Sequence, residues 1–249
     1  MSEKRKNALL LLQDEAKEME DLLTSLKTNR QSLLPQMRAL EEHHFVSHEK
    51  DAYELTPIGK LIVDDMKPLM DTLDFFDTDI DYWGTHDLSL VPPHLLKRIN
   101  EVREYTIANP SNVKMYEAHN EAVETSKKFH HSITTFFYPN FRNMFSQILS
   151  EGAEMHVIIS QSLYDKLKID NYNDLKELLH NDLVYFYLYP KKMNLLAFVY
   201  NEQMLMMSLL TTNGSFDNKH VISTTPTAIN WAKDVFEYYL KDSTQITEV

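Results

Sequence analysis

Few side-chain groupings in this 249-residue chain have the types and spacing that chemistry requires. A phospholipase-type site needs a His, a Lys two residues on, and then an acid. The chain offers that pair only at His48 and Lys50, and Leu55 stands where the acid belongs. Asp77, Asp79 and Asp81 have the one-three-five spacing of a calcium loop, but Tyr82 sits where the tight turn needs Gly and Leu88 where a bidentate Glu is required. Of the 11 histidines, His43, His44, His130 and His131 come as adjacent pairs, whose rings point in different directions on a regular element. With no H-E-x-x-H, they read as solvated or structural groups and not as metal ligands. The 4 glycines, Gly59, Gly84, Gly152 and Gly214, are isolated, which removes phosphate loops, dinucleotide fingerprints and the G-x-S-x-G elbow. No cysteine is present, so disulfides, thiolate metal sites and thiol nucleophiles are excluded. The expectation is no catalytic residue, no metal and no cofactor.

What remains is binding, and the elements that would position binding residues can be taken in order. Hydrophobic residues make up 43% of the chain, ample for a core, and the length suggests a small module followed by a larger one. No apolar run approaches the roughly 18 residues that span a bilayer, and the N-terminal Leu9–Leu12 block is followed by acidic residues without a cleavage signal, so a soluble, unprocessed, cytoplasmic chain is expected. The net charge of −12 argues against a protein coated in nucleic acid. A small basic reading surface on an acidic body remains compatible with it.

Residues 5–13 can form a first helix. A second runs from about Glu15 to Leu26, with Met19, Leu22, Leu23 and Leu26 recurring at helical spacing beside an acidic face. Thr28 and Asn29 can cap a third, from about Arg30 to His43. Leu33, Met37 and Leu40 share one face of it, which turns Arg30, Gln31, Pro35 and Arg38 outward. Arg forks and Gln amides match base edges in a major groove, so this is the pattern of a reading helix. Pro35 removes a backbone bond and predicts a kink or a short first turn. Phe45 to Ser47 and Tyr53 to Leu55 alternate as strands around a polar tip, and a new helix starts after Thr56. Three short helices, a hairpin and an exit helix predict a winged helix-turn-helix over residues 1–76. The exit helix to Phe76 carries Leu61, Ile62, Met66, Leu69, Met70 and Leu73 as a stripe for a twin helix or for the second domain.

Residues 82–102, YWGTHDLSLVPPHLLKRINEV, the upstream LTPIGKLIVDDMKPLMDTLDFF and the tail NGSFDNKHVISTTPTAINWAKDVFEYYL resemble the winged-helix regulators of methanogenic archaea that carry the methanogenesis-regulatory middle domain, with an arsenic-repressor-like DNA-binding head. The resemblance covers nearly the whole chain. It implies a transcription regulator with a DNA-binding head and a C-terminal regulatory domain, and its relatives suggest a phospholipase-D-like sheet.

Residues 77–111 are expected as a linker, its start solvated and acidic, and residues 112–249 as a mixed α/β regulatory domain. Ser132–Phe137 and Glu154–Ser160 read as strands around a helix, Phe141–Glu151, capped by Gly152. One further helix, Ser162–His180, precedes strands at Leu183–Tyr189, Leu195–Tyr200 and Gln203–Leu209, and Pro226–Leu240 closes the chain. Ligands of α/β sheets sit beyond the carboxyl ends of parallel strands. That nominates Thr135, Tyr138, Ser160 and Gln161 for an effector pocket, with Tyr187, Tyr189, Asn213 and Asp217 as walls.

The expected protein is thus a homodimeric, sequence-specific regulator of double-stranded DNA that answers to a small effector or a partner. Arg30, Gln31 and Arg38 would read bases, Thr28, Asn29 and Ser32 would contact backbone, His48 and Lys50 would reach phosphate or the minor groove, and Lys27 and Gln36 complete the DNA-binding set. One alternative is an adaptor whose helical head docks a protein, favoured by the acidic second helix. Another is a hydrolase, which the missing His-x-Lys and acid argue against.

Overall fold

The computed structural model describes residues 2–109 and 117–248. The chain divides into two compact units, Met1–Asp74 and Phe75–Val249.

The first unit runs α1 (Glu3–Leu11), β1 (Lys17–Glu18), α2 (Met19–Ser25), α3 (Arg30–Glu42), β2 (Val46–Glu49), β3 (Ala52–Leu55) and α4 (Pro57–Thr78), the last crossing the boundary. Ser2 caps α1 and Asn29 caps α3, its carbonyl oxygen accepting from the Ser32 amide at 2.9 Å. Leu9, Met19, Leu22, Leu33, Met37 and Leu40 close a core under the three short helices. Helix two is shorter than expected because Lys17 and Glu18 pair with Tyr53 and Ala52, adding a third strand in the order β1-β3-β2. Lys50 and Asp51 make the two-residue hairpin turn with φ of 49° and 73°, the mirror-image turn that suits the right-handed twist of paired strands. A Cβ on Gly59 would lie 2.0 Å from the Phe45 carbonyl oxygen, so only glycine lets α4 start this close to the hairpin. Helix α3 continues across Pro35, whose ring lies on the exposed side and whose missing N–H leaves one helix bond unmade.

The second unit opens with α5 (Ile80–Trp83), α6 (Pro93–Leu96) and a 3-10 turn, Ile99–Val102. The linker expectation for residues 77–111 fails here. Tyr82, Trp83, Leu90, Val91, Leu95, Ile99 and Val102 are buried in the main core, because their apolar spacing serves packing and not a solvated tether. The elements that follow are β4 (Tyr105–Ala108), α7 (Glu117–Thr125), β5 (Phe129–Thr134), α8 (Phe141–Ser150), β6 (Glu154–Ser160), α9 (Gln161–Asp170), α10 (Tyr172–Leu179), β7 (Val184–Tyr189), β8 (Leu195–Tyr200), β9 (Leu205–Leu209), β10 (His220–Ser223), α11 (Pro226–Lys241) and β11 (Thr244–Ile246). They build an 8-stranded sheet, β11-β7-β6-β5-β8-β9-β10-β4. Strands β5, β6 and β7 are parallel and the remaining pairings are antiparallel.

Helix α11 buries Trp231, Val235 and Phe236 on one sheet face, where the Trp231 ring N–H donates to the Leu95 carbonyl at 3.0 Å. Helices α8, α9 and α10 cover the other face through Phe145, Ile148, Leu163, Leu167 and Leu175. Gly152 follows α8 at φ 77°, the left-handed geometry of a helix stop. The helix expected over Ser162–His180 is two helices, broken at Asn171. The strand expected from Ser132 is β5, which begins at Phe129, three residues earlier, so His130 and His131 lie inside it and not ahead of it. No helix among the described residues is long and apolar enough to cross a membrane.

Candidate functional site

Helix α3 buries Leu33, Met37 and Leu40 and leaves Arg30, Gln31, Pro35 and Arg38 exposed. Arg38 makes no ion pair among the described residues and is available to a partner. Arg30 is not. Its guanidinium lies 3.6 Å from Glu20 on α2 and 3.5 Å from Asp51 at the hairpin tip, so two carboxylates hold the first side chain of the helix. Asn29 is used as the cap, the Ser32 hydroxyl accepts from Lys4, and Gln36 turns toward Ser2, accepting from its hydroxyl at 3.0 Å. Lys27 is exposed in the left-handed region at φ 48°, and Thr28 is half-buried. In the hairpin His48 stacks on its cross-strand neighbour Tyr53 at 4.2 Å and 8°, and Lys50 projects from the turn. Arg30 thus sits against the hairpin tip that carries Lys50, with Asp51 and Glu20 interposed, and Gln31 and Arg38 are exposed on the same helix. The acidic residues around Arg30 were visible in the sequence, but their contact with it was not.

A second candidate lies at the carboxyl ends of β5 and β6. A cavity of about 410 Å³ is lined by Thr135 to Pro139, by Phe141 of α8 and by Ser162, Lys166 and Leu167 of α9. Two of the nominated residues, Thr135 and Tyr138, line it. Ser160 lies at its edge, capping α9 through the Leu163 amide and bonded to the Ser162 hydroxyl at 3.1 Å, and Gln161 points outward to Asp165. Tyr187 and Tyr189 belong to the opposite face of the sheet, packed with the α11 core, because the side chains of β7 alternate. Asn213 and Asp217 sit in the β9–β10 loop. There Asp217 meets Lys219 at 2.8 Å and His86 at 3.3 Å. Burial works against its charge, but those two bonds outweigh it and hold the carboxyl below its usual range. Residues the sequence did not nominate include His130, Ser132 and Thr134, alternate positions of β5 that face a narrow recess adjoining the cavity. Their signal was a polar period of two where neighbouring β6 carries Met155, Val157 and Ile159.

The two histidines inside β5 are each engaged by a neighbouring hydroxyl. Burial alone depresses His130 to about 4, and its Nδ1 lies 2.9 Å from the Ser126 hydroxyl. Burial, then the nearby His156, brings His131 to about 3, with the Tyr200 hydroxyl at 2.7 Å. Among the described residues no group of three His, Cys, Asp or Glu side chains could hold a metal ion.

Residues 1–74 match the N-terminal domain of the methanogenesis regulatory protein FilR1, and residues 113–242 match its middle domain. The chain belongs to the FilR1 family. The FilR1 protein of Methanothrix harundinacea (strain 6Ac) is 27% identical over 255 residues, covering 99% of this chain and 57% of that protein. The chain thus spans little more than half the length of this FilR1 relative. Among solved structures, the archaeal chromatin protein TrmBL2 aligns at a TM-score of 0.46 and 12% identity, covering 98% of this chain and 92% of that one. NucT from Helicobacter pylori aligns at 0.42 and 12%, covering 57% and 100%. Both scores are too low to bear on fold or function. The two FilR1 matches leave out residues 75–112, although Tyr82, Trp83 and Leu95 contribute to the main core.

Proposed function

We propose that this chain is a sequence-specific, DNA-binding transcription regulator whose second unit responds to a small molecule or a partner protein. The observation that carries it is the match of residues 1–74 to the FilR1 N-terminal domain, in which α3 exposes Gln31 and Arg38 beside a hairpin tipped by Lys50. In this reading the first unit is a winged helix-turn-helix, α3 enters the major groove and β2–β3 is the wing. Arg30, Gln31 and Arg38 meet base edges, Lys27, Thr28, Asn29 and Ser32 lie along the backbone, with Gln36 behind them, and His48 and Lys50 touch phosphates or the minor groove. A cytoplasmic homodimer forms through α4, where Ile58, Leu61, Leu69 and Leu73 are exposed at helical spacing. In the second unit Thr135 and Tyr138 would meet the effector, with Ser160 at the edge of its cavity, while Gln161 faces Asp165 and Tyr187, Tyr189, Asn213 and Asp217 lie outside the cavity walls. The likeness of the sheet to a phospholipase-D fold belongs to the same reading.

The test is fluorescence anisotropy with the chain's own upstream DNA, titrated with salt. Phosphate contacts require log K to fall steeply with log salt, and Arg30→Ala should weaken specific binding by about 1–3 kcal/mol. A second reading, a protein-docking adaptor, is favoured by the engagement of Arg30 with Glu20 and Asp51. Absence of DNA binding even at low salt would select it.

A further inference from the structure

We propose that the cavity at the carboxyl ends of β5 and β6 binds a small aromatic anion carrying a second hydrogen-bonding group, a proposal that rests on reading the second unit as a sensor. Its walls are flat and apolar: Phe137 and Phe141 stack at 5.1 Å and 25°, with Leu163 and Leu167 opposite. A ring slotted among them gains apolar burial and offset aromatic contact. The mouth is cationic. Lys166 lines it without an ion-pair partner among the described residues, and Ser162, in the first turn of α9, lines the same space. An anionic group placed there meets the Lys166 charge beside the polar side chain of Ser162.

The inner end is different. A recess of about 50 Å³ shares Phe137, Tyr138 and Phe141 with the cavity and is floored by His130, Ser132 and Thr134. Small polar side chains occupy these positions of β5, whereas β6 beside it fills the same sheet face with Met155, Val157 and Ile159. A floor built only for packing would carry aliphatics here, since buried polar groups need partners. The Ser132 hydroxyl has no hydrogen-bond partner among the described residues, and the His130 ring is neutral, bonded through Nδ1 to Ser126. The recess thus suits a hydroxyl or carbonyl on the far edge of the ligand ring, with its anionic group toward Lys166.

The probe is 1-anilinonaphthalene-8-sulfonate, an aromatic anion whose fluorescence reports burial, titrated into the full chain and displaced with 4-hydroxybenzoate. The expectation is one saturable site, weakened about tenfold by Lys166→Glu and restored by Lys166→Arg, with 4-hydroxybenzoate displacing the probe better than benzoate. Lys166 is exposed, so these variants should keep the fold, which a thermal melt verifies. Binding unchanged by Lys166→Glu, or lost instead in Leu61→Asp/Leu69→Asp on α4, overturns the proposal. DNA anisotropy on the same samples separates the two claims. A Lys166-dependent site in a chain that never binds DNA keeps the pocket and removes the regulator. DNA binding without such a site does the reverse.

Discussion

Replacing Glu20 with Gln and Asp51 with Asn together should tighten DNA binding, and the size of the effect follows from Arg30. Its guanidinium lies 3.6 and 3.5 Å from the two carboxylates, and all three side chains are more than half exposed. At such distances in a watery environment each pair is worth roughly 0.2–1 kcal/mol, after screening and side-chain entropy are counted. To reach a base edge or a phosphate Arg30 must surrender both pairs, a loss of about 0.5–1.5 kcal/mol that the double variant no longer incurs. Affinity should therefore rise about twofold to twelvefold, while folding stability falls by up to about 1.5 kcal/mol. Anisotropy with the upstream duplex and a scrambled control, each in the presence and absence of Arg30→Ala, gives a double-mutant cycle. The gain should vanish when Arg30 is Ala. An equal gain in that background would show that the carboxylates merely repel phosphate, and no gain at all would remove Arg30 from the contact set.

Pro35→Ala should stabilise the first unit by about 1–3 kcal/mol, because α3 is continuous through an exposed proline that lacks one helix bond; a lower urea midpoint would contradict this. Leu61→Asp with Leu69→Asp should convert a dimer to a monomer in light scattering with little loss of stability, since both side chains are exposed, and an unchanged mass would exclude α4 as the interface. Stability should also fall on acidification. His130 and His220 are held near 4, first by burial, while the unfolded chain takes up those protons near 6.5. The folded state is therefore fully favoured above about 6.5 and loses up to about 1.4 kcal/mol per histidine per pH unit as pH falls toward 4. Urea midpoints that match at pH 7.5 and pH 5 would refute this.

Much of the local structure was legible in the residues because it depends on neighbours a few positions apart. Leu33, Met37 and Leu40 specify the buried face of α3 and Asn29 its cap, Gly152 marks the end of α8, and Glu154–Ser160 and Leu195–Tyr200 read directly as strands. Other features required contacts distant in sequence. Strand β1 exists because Lys17 and Glu18 meet β3, and β4 and β10 are held by their pairing with each other, the four residues of each being too short to announce themselves. Residues 77–102 looked like a tether because their acidic start is local, whereas the burial of Trp83 and Leu95 is decided by α11 and the sheet. The same division runs through the candidate sites. Residue types on α3 are readable from helical period, but only the fold sets Glu20 and Asp51 against Arg30, and only strand alternation sends Tyr187 and Tyr189 to the opposite face from the cavity that takes Thr135 and Tyr138. Periodicity says which way a side chain points from its own element, and tertiary packing decides what it meets there.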